Sequence, residues 1–411
     1  MATVTPFCAV RAKRDKVALV SSRSYEAYSP AELGAQLDFN PFSFLHIISP
    51  SYKYHEDISP EQRFEMIRDN YLNFKELCYF KKDKKPAYYI YKKVTKAFSC
   101  TGIIAAASTE DYRKKIIKPH EDTLKKREVL FEKYLRSVGF NAEPVLLTYP
   151  DNSYLADLFQ RYESKRAEYE FTTENHITHY LWLVDDPALT AKIGAEFEKM
   201  ESIYIADGHH RTASSSLLTQ HSRAKNPNHT GTEAYNFFMS YLIPESALKI
   251  SEFNRLLRDL NGLTTADFLT AIGKRFTIEH KGDQLYHPNQ KHHFSMYLEG
   301  EFYKLSIRKE QFDLCDPLAN LDTQILYKSV LNPILGIKNV RKDRRLQYAN
   351  SEQGVVYLKQ QVDAGNFKVA FGLYPTGIDE LKAIADAELT MPPKSTYIQP
   401  KLRSGLTIYE F

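Results

Sequence analysis

The chain has 411 residues, more than one ordinary hydrophobic core supports, which favours two or more lobes. Lysine and arginine outnumber aspartate and glutamate by 55 to 51, and a net charge of only +4 argues against nucleic acid as a partner. The four cysteines lack paired spacing, no apolar run reaches the roughly 18 residues of a membrane span, and no secretory signal is visible, so a cytoplasmic protein without a membrane partner is predicted.

The N-terminal part of the chain mixes short strand and helix patterns. Short strands joined by turns are predicted at residues 17–20 and 44–48, and helices over residues 30–38 and 61–77. Residues 87–91 and 97–104 predict an antiparallel pair of strands, because both are rich in aromatic and β-branched side chains around a charged turn.

The next stretch places His120 and Glu121 just before a charged helix, predicted over residues 124–137 and closed by Gly139. A strand follows at residues 144–149. A carboxylate near a helix start is electrostatically favoured, and on the residues alone His120 and Glu121 are equally well explained as capping and surface groups.

The patterns of the whole chain predict a mixed α/β (α+β) fold with several lobes. Later elements include a strand at 234–243, a hairpin at 297–307 around Gly300, a helix at 321–335, a strand at 368–373 and a helix at 377–388. We expect an N-terminal lobe over 1–110, a central lobe over 111–245 with an insertion near 151–200, and a C-terminal lobe over 246–411 whose tail returns to the site.

The most informative stretch is the elbow, residues 207–212, where an apolar run turns into a predicted helix. Gly208 allows close backbone approach, the helix N-terminus offers N–H groups, and Arg211 supplies a fork suited to phosphate. Asp207 can accept hydrogen bonds or hold a metal-bound water, while His209 and His210 can donate to developing negative charge. The alternative is a structural turn with solvated side chains, but this composition favours a phosphate-binding loop.

The C-terminal tail contains a second polar loop. Pro392 and Pro393 stiffen the chain just before Lys394, Ser395 and Thr396. These three side chains can bind a small carboxylate or phosphate.

Read together, these motifs resemble the ParB and sulfiredoxin-like superfamily, and most of all its branch of free L-serine kinases. The resemblance rests on residues 117–121, the helix closed by Gly139, the strand at 144–147 and the elbow. The whole chain is also similar to a widespread bacterial family that shares the start at residues 6–7, the motif at 118–123, the elbow and the tail at 391–405.

The kinase resemblance implies transfer of a phosphoryl group from ATP or ADP to the hydroxyl of free L-serine. It implies a ParB-like catalytic core in which Glu121 is the base, with His120 beside it, and Asp207 binds Mg²⁺. The same resemblance assigns nucleotide phosphates to Gly208, His209, His210, Arg211 and Thr212, and L-serine to Lys394, Ser395 and Thr396.

This chain departs from that pattern at three places. Glu121 and Asp207 are separated by 85 residues, more than the compact kinases carry, and Tyr397 stands where basic residues are expected. His209 occupies the position of the sulfiredoxin cysteine, which disfavours thiol chemistry. Two alternatives stay open, a nucleotide-binding regulatory protein without catalysis and a nucleotide phosphohydrolase, and a homodimer is compatible with the sequence.

Overall fold

The computed structural model of the protein describes residues 1–50 and 58–411, which form two compact units. Unit 1 comprises Met1–Pro119, Thr123–Leu248 and Pro400–Phe411, and unit 2 comprises His120–Asp122 and Lys249–Gln399. Helices and sheets occur in both units, with parallel and antiparallel pairing in the main sheet of unit 1, which confirms the predicted mixed α/β class. Within residues 1–50 and 58–411, no helix has both the length and the apolar character needed to cross a membrane.

Unit 1 interleaves helices with strands along the chain. Its described helices are α1 (Val17–Val20), α2 (Pro30–Phe39), α3 (Leu45–Ile48), α4 (Pro60–Glu76), α5 (Thr109–Arg113), α6 (Lys125–Val138), α7 (Ser153–Glu163), α8 (Pro187–Glu198) and α9 (His209–Lys225). Its strands up to the end of the main sheet are β1 (Val4–Thr5), β2 (Val10–Ala12), β3 (Phe80–Lys82), β4 (Tyr88–Val94), β5 (Ser99–Ser108), β6 (Ile117–Lys118), β7 (Phe140–Asn141), β8 (Val145–Tyr149), β9 (Tyr169–Thr172), β10 (Thr178–Val184), β11 (Ile203–Asp207) and β12 (Phe237–Pro244).

The main sheet of unit 1 holds β11, the strand that leads into the elbow. Its order is β6-β11-β8-β12-β5-β4-β10-β9, with β1 also paired to β5. Strand β11 runs parallel to β6, with Tyr204 opposite Lys118, and antiparallel to β8. Ile203 and Ile205 are fully buried in a core that also contains Leu155 of α7 and Phe197 of α8. This packing holds the end of β11 in place.

Local sequence signals account for several helices of unit 1. Ser29 and Ser59 each form a capping box, and proline follows each of them at the first helical position. Helix α6 ends at Gly139, whose φ of 76° suits glycine. The predicted helices in these three places are confirmed, as is the antiparallel pairing of β4 with β5.

Unit 2 is built around an antiparallel sheet with the order β15-β17-β16-β19-β14-β18. Apolar side chains cover both faces, for example Met296 and Phe371 on one and Tyr297 and Ala370 on the other. Its strands are β13 (Lys249–Ser251), β14 (Phe253–Leu257), β15 (Phe276–Gly282), β16 (His293–Leu298), β17 (Glu301–Ile307), β18 (Leu346–Asn350), β19 (Val369–Gly372) and β20 (Tyr397–Gln399). Its α-helices within the described residues are α10 (Thr265–Gly273), α11 (Asp322–Leu326), α12 (Gly354–Asp363) and α13 (Ile378–Asp386).

Three sequence-based assignments differ from the structure. Residues 17–20 and 44–48 do not form strands, because the helices α1 and α3 occupy these places and bury apolar side chains, Val17 and Val20 in α1 and Leu45 and Ile47 in α3. Four-residue apolar runs are too short to reveal a period, so tertiary packing decides their conformation. The helix predicted over 321–335 is shorter, since α11 continues as a π-helix only to Leu331, just before Asn332-Pro333.

Candidate functional site

The elbow is a strand-to-helix junction, as predicted. Strand β11 ends at Asp207, Gly208 adopts φ 103° and ψ 30°, and the 17-residue helix α9 begins at His209. The register of the pairing between β11 and β8 shifts between Ile205 and Asp207, just before the elbow. Because the N-cap residue is glycine, no N-cap side chain accepts a hydrogen bond from the first N–H groups of α9. N–H groups at this position bind anions in other helices.

Arg211 folds back over the elbow. Its Nη2 donates to Asp207 Oδ2 at 3.2 Å, and its Nη1 donates to the Pro144 carbonyl at 3.0 Å and to Glu143 Oε2 at 3.5 Å. A Cβ atom at Gly208 would lie only 3.1 Å from Arg211 Nε and Nη2. Glycine at this position therefore permits both the backbone conformation and the placement of the guanidinium group.

Asp207 lies between two cations. Besides Arg211 on Oδ2, the Nζ of Lys401 lies 3.2 Å from Oδ1, and the aspartate side chain is 38% exposed. Burial opposes ionisation of the carboxyl, but the charges of Lys401 and Arg211 hold the pKa of Asp207 below its usual value. Asp207 shares one of these two cations, Arg211, with Glu143.

Small and hydroxyl-bearing residues make the first turns of α9. Ala213, Ser214 and Ser215 are buried, and the two serine hydroxyls donate to carbonyls four residues earlier at 2.7 and 2.9 Å. Thr212 is fully buried and its hydroxyl donates to the Gly208 carbonyl at 3.3 Å. These bonds satisfy the polar side chains of the helix where they are packed away from water.

The two histidines of the elbow differ in exposure. His209 is only 5% exposed, and burial lowers its pKa to about 4 in spite of the nearby Asp207 carboxylate. It is therefore a neutral imidazole at pH 7. His210 is half-buried.

Because His209 is buried as a neutral imidazole, we expect the protein to lose stability in mild acid. His209 titrates near 6.5 when unfolded but at about 4 when folded, so the unfolded chain binds more protons as the pH falls below 6.5. Lowering the pH from 7 to 5 should reduce the free energy of unfolding by about 2 kcal/mol through this residue. Urea unfolding at both pH values measures the effect.

The matched variant for this prediction is His209→Gln, which keeps a polar side chain but cannot titrate. His179, whose pKa burial lowers to about 3, remains as a second source of acid sensitivity. The variant should therefore lose less stability than the wild type between pH 7 and 5. An equal loss in the two proteins would show that His209 does not titrate as the structure indicates.

Other predicted site residues lie in unit 2. His120 is fully buried, and its carbonyl accepts a hydrogen bond from the Met391 N–H at 2.9 Å. Glu121 is half-buried and Asp122 is exposed. The structure thus brings the segment His120–Asp122 together with the start of the predicted serine-binding loop.

That loop is ordered by bonds within unit 2. Ser395 is buried, donates to the Pro392 carbonyl at 2.7 Å and lies 3.0 Å from the Thr323 hydroxyl. Lys394 is exposed, with φ 58°, and its Nζ lies 5.0 Å from the centre of the Phe253 ring. Thr396 is buried. The Ser395 hydroxyl therefore stabilises the conformation of the loop. Of Lys394, Ser395 and Thr396, Lys394 is the residue that is exposed and charged.

Glu143 and Lys401 contact the elbow but were not identified from the sequence. Lys401 lies in the tail at 391–405 that the whole-chain resemblance includes, but no role was assigned to it, whereas Glu143 belongs to no motif, and both reach the elbow through tertiary structure. Among the described residues, no three His, Cys, Asp or Glu side chains gather closely enough to hold a metal ion. Asp207 is a single carboxylate, and its two oxygens face Arg211 and Lys401.

Several solved structures show distant similarity to the chain. SbnI with a C-terminal truncation from Staphylococcus aureus is 11% identical, with a TM-score of 0.38 over 74% of this chain and 85% of that one. A free serine kinase mutant in complex with AMP is 12% identical, with a TM-score of 0.36 over 74% and 91%. A conserved hypothetical protein from Pyrococcus furiosus is 10% identical, with a TM-score of 0.32 over 74% and 95%. Similarities this distant carry no weight for the function of this chain.

Among curated proteins, no relative matches the chain. A family model does match, and it spans residues 4–324, well over half of the sequence. The chain therefore belongs to the family described as "Protein of unknown function (DUF1015)".

Proposed function

We propose that the protein is a phosphotransferase that moves a phosphoryl group from ATP or ADP to the hydroxyl of free L-serine. The observation that carries the proposal is the elbow, in which a left-handed glycine lies beneath an arginine fork at the start of a 17-residue helix. Backbone N–H groups and a planar guanidinium group are the donors that suit phosphate oxygens.

The elbow takes the nucleotide phosphates in this proposal. The first N–H groups of α9 and the Arg211 fork bind phosphate oxygens, and the neutral His209 and half-buried His210 complete the polar surroundings. Asp207 would hold Mg²⁺ together with phosphate oxygens and water. That ion would neutralise charge on the phosphates during transfer.

Glu121 acts on the acceptor in this proposal. A serine hydroxyl is a poor nucleophile, so a carboxylate that takes its proton assists attack on the terminal phosphorus. The new bond joins the serine oxygen to phosphorus, the bond to the bridging phosphate oxygen breaks, and the products are O-phospho-L-serine and the shortened nucleotide. His120 positions Glu121 through its carbonyl bond to Met391, and Lys394 with Thr396 recognises the serine.

The direction of two strands supports these roles. Lys118 of β6 pairs in parallel with Tyr204 of β11, so both strands leave the sheet at the same edge. The elbow begins at that edge, and Glu121 follows Lys118 by three residues in the sequence.

Phosphorus NMR on the purified protein tests the proposed function. The samples contain Mg²⁺, either ATP or ADP, and L-serine, with a control that lacks serine. A phosphomonoester signal that requires serine is expected, and the nucleotide that yields it is the donor. Nucleotide consumption without serine would replace the kinase by a hydrolase, and nucleotide binding without turnover would replace it by a regulatory protein.

A further inference from the structure

Lys401 is a cation of the elbow that comes from the far end of the chain. It belongs to the C-terminal strap, residues 400–405, which lies in unit 1. The Nζ of Lys401 lies 3.2 Å from Asp207 Oδ1, and the lysine side chain is 48% exposed. This side chain is thus close to the proposed phosphate site and partly exposed.

Hydrogen bonds fix the backbone of the strap on both sides of Leu402. Ser404 and Ser22 exchange backbone hydrogen bonds at 2.9 and 3.1 Å, and Arg403 Nε donates to Ser21 Oγ at 3.1 Å. The Lys401 carbonyl accepts a hydrogen bond from Lys93 Nζ at 2.8 Å. These bonds set the position from which the lysine side chain extends.

The strap is also connected to the arginine fork through Glu143. Ser404 Oγ donates to Glu143 Oε1 at 2.6 Å, while the other oxygen of Glu143 faces Arg211 Nη1 at 3.5 Å. Arg211 and Lys401 then approach different oxygens of Asp207. Asp207 therefore lies between two cations, Arg211 and Lys401, and Arg211 also faces Glu143.

The charged groups around the elbow sum to a small positive excess. Lys93, Lys401 and Arg211 carry three positive charges, against the two negative charges of Asp207 and Glu143. A monophosphate can be held by the Arg211 fork and the helix N-terminus alone. A second phosphoryl group brings additional charge, and Lys401 is the flexible point charge that can follow it.

We propose that Lys401 binds the second phosphoryl group of the nucleotide and thereby selects a nucleoside di- or triphosphate over a monophosphate. In the bound state, the Nζ of Lys401 leaves Asp207 Oδ1 and binds an oxygen of the second phosphoryl group. Arg211 binds the first phosphoryl group. This inference rests on the proposed function, because it takes a nucleotide as the ligand of the elbow.

Isothermal titration calorimetry with ADP and AMP in Mg²⁺ buffer tests the role of Lys401. Lys401→Met, which removes the charge and keeps the length, should weaken ADP binding about 10- to 100-fold and AMP binding less than about threefold. Lys401→Arg should retain most of the ADP affinity. Lys199→Met is the matched control, since Lys199 is an exposed lysine of unit 1 whose Nζ lies 2.6 Å from Glu196, and it should bind both nucleotides as the wild type does.

The outcomes separate this inference from the proposed function. If Lys401→Met binds ADP as tightly as the wild type does, the proposed role of Lys401 is wrong while the kinase proposal stands. The same conclusion follows if the substitution weakens the binding of ADP and of AMP by the same factor. If the wild type binds neither nucleotide, the proposed function fails, and inorganic tripolyphosphate is titrated instead. If the wild type binds tripolyphosphate and Lys401→Met does not, Lys401 remains a ligand for polyphosphate. If the wild type does not bind tripolyphosphate either, both the proposed function and the role of Lys401 are overturned.

Discussion

Replacing Glu121 by glutamine should lower kcat for serine phosphorylation by about 100- to 10,000-fold, the usual contribution of a positioned general base. Glutamine keeps the shape of the side chain and its ability to accept a hydrogen bond, but it cannot take the hydroxyl proton. Nucleotide affinity should be unchanged, because the proposed phosphate ligands belong to the elbow. Turnover followed by phosphorus NMR and ADP binding followed by calorimetry measure the two effects.

Asp122→Asn is the matched control for this variant. Asp122 is the adjacent carboxylate in the same segment and is exposed, so its loss removes the same charge without removing the proposed base. It should keep nearly full turnover. Full turnover by Glu121→Gln would exclude Glu121 as the base, and equal losses in both variants would point to the charge of the segment rather than to proton transfer.

Replacing Gly208 by alanine should weaken ADP binding by about 10-fold, as expected when the charged hydrogen bonds of the arginine fork are weakened by displacement of the guanidinium group. It should also destabilise the protein by about 1–3 kcal/mol, since φ of 103° is strained for any residue with a side chain. The added Cβ would lie 3.1 Å from Arg211 Nε, so the guanidinium group must shift by a few tenths of an ångström. Calorimetry and urea unfolding give the two quantities.

Gly139→Ala separates backbone strain from displacement of the arginine. Gly139 also has a positive φ, 76°, but a Cβ there would meet no atom within 4 Å. This variant should lose about 1 kcal/mol of stability and bind ADP normally. If Gly208→Ala binds ADP as tightly as Gly139→Ala does, Arg211 does not hold the phosphate in the way proposed.

Short-range chemistry made part of the fold predictable. A serine followed by proline starts α2 and α4, a left-handed glycine ends α6, and the apolar run before Gly208 forms the strand that leads to α9. These signals act between residues a few positions apart. The roles of Glu121 and of Lys394 to Thr396 remain predictions, because they concern substrates rather than local conformation.

Local residue patterns were sufficient to predict the mixed α/β class and the strand-to-helix elbow with its aspartate, glycine, histidines and arginine. Only the tertiary structure made α1 a helix and placed Glu143 and Lys401 at the elbow. Lys401 meets Asp207 across 194 positions, and Ser404 meets Glu143 across 261. Such pairs depend on how distant segments pack, and a single sequence carries a signal for the conformation of each segment but none for its distant partner.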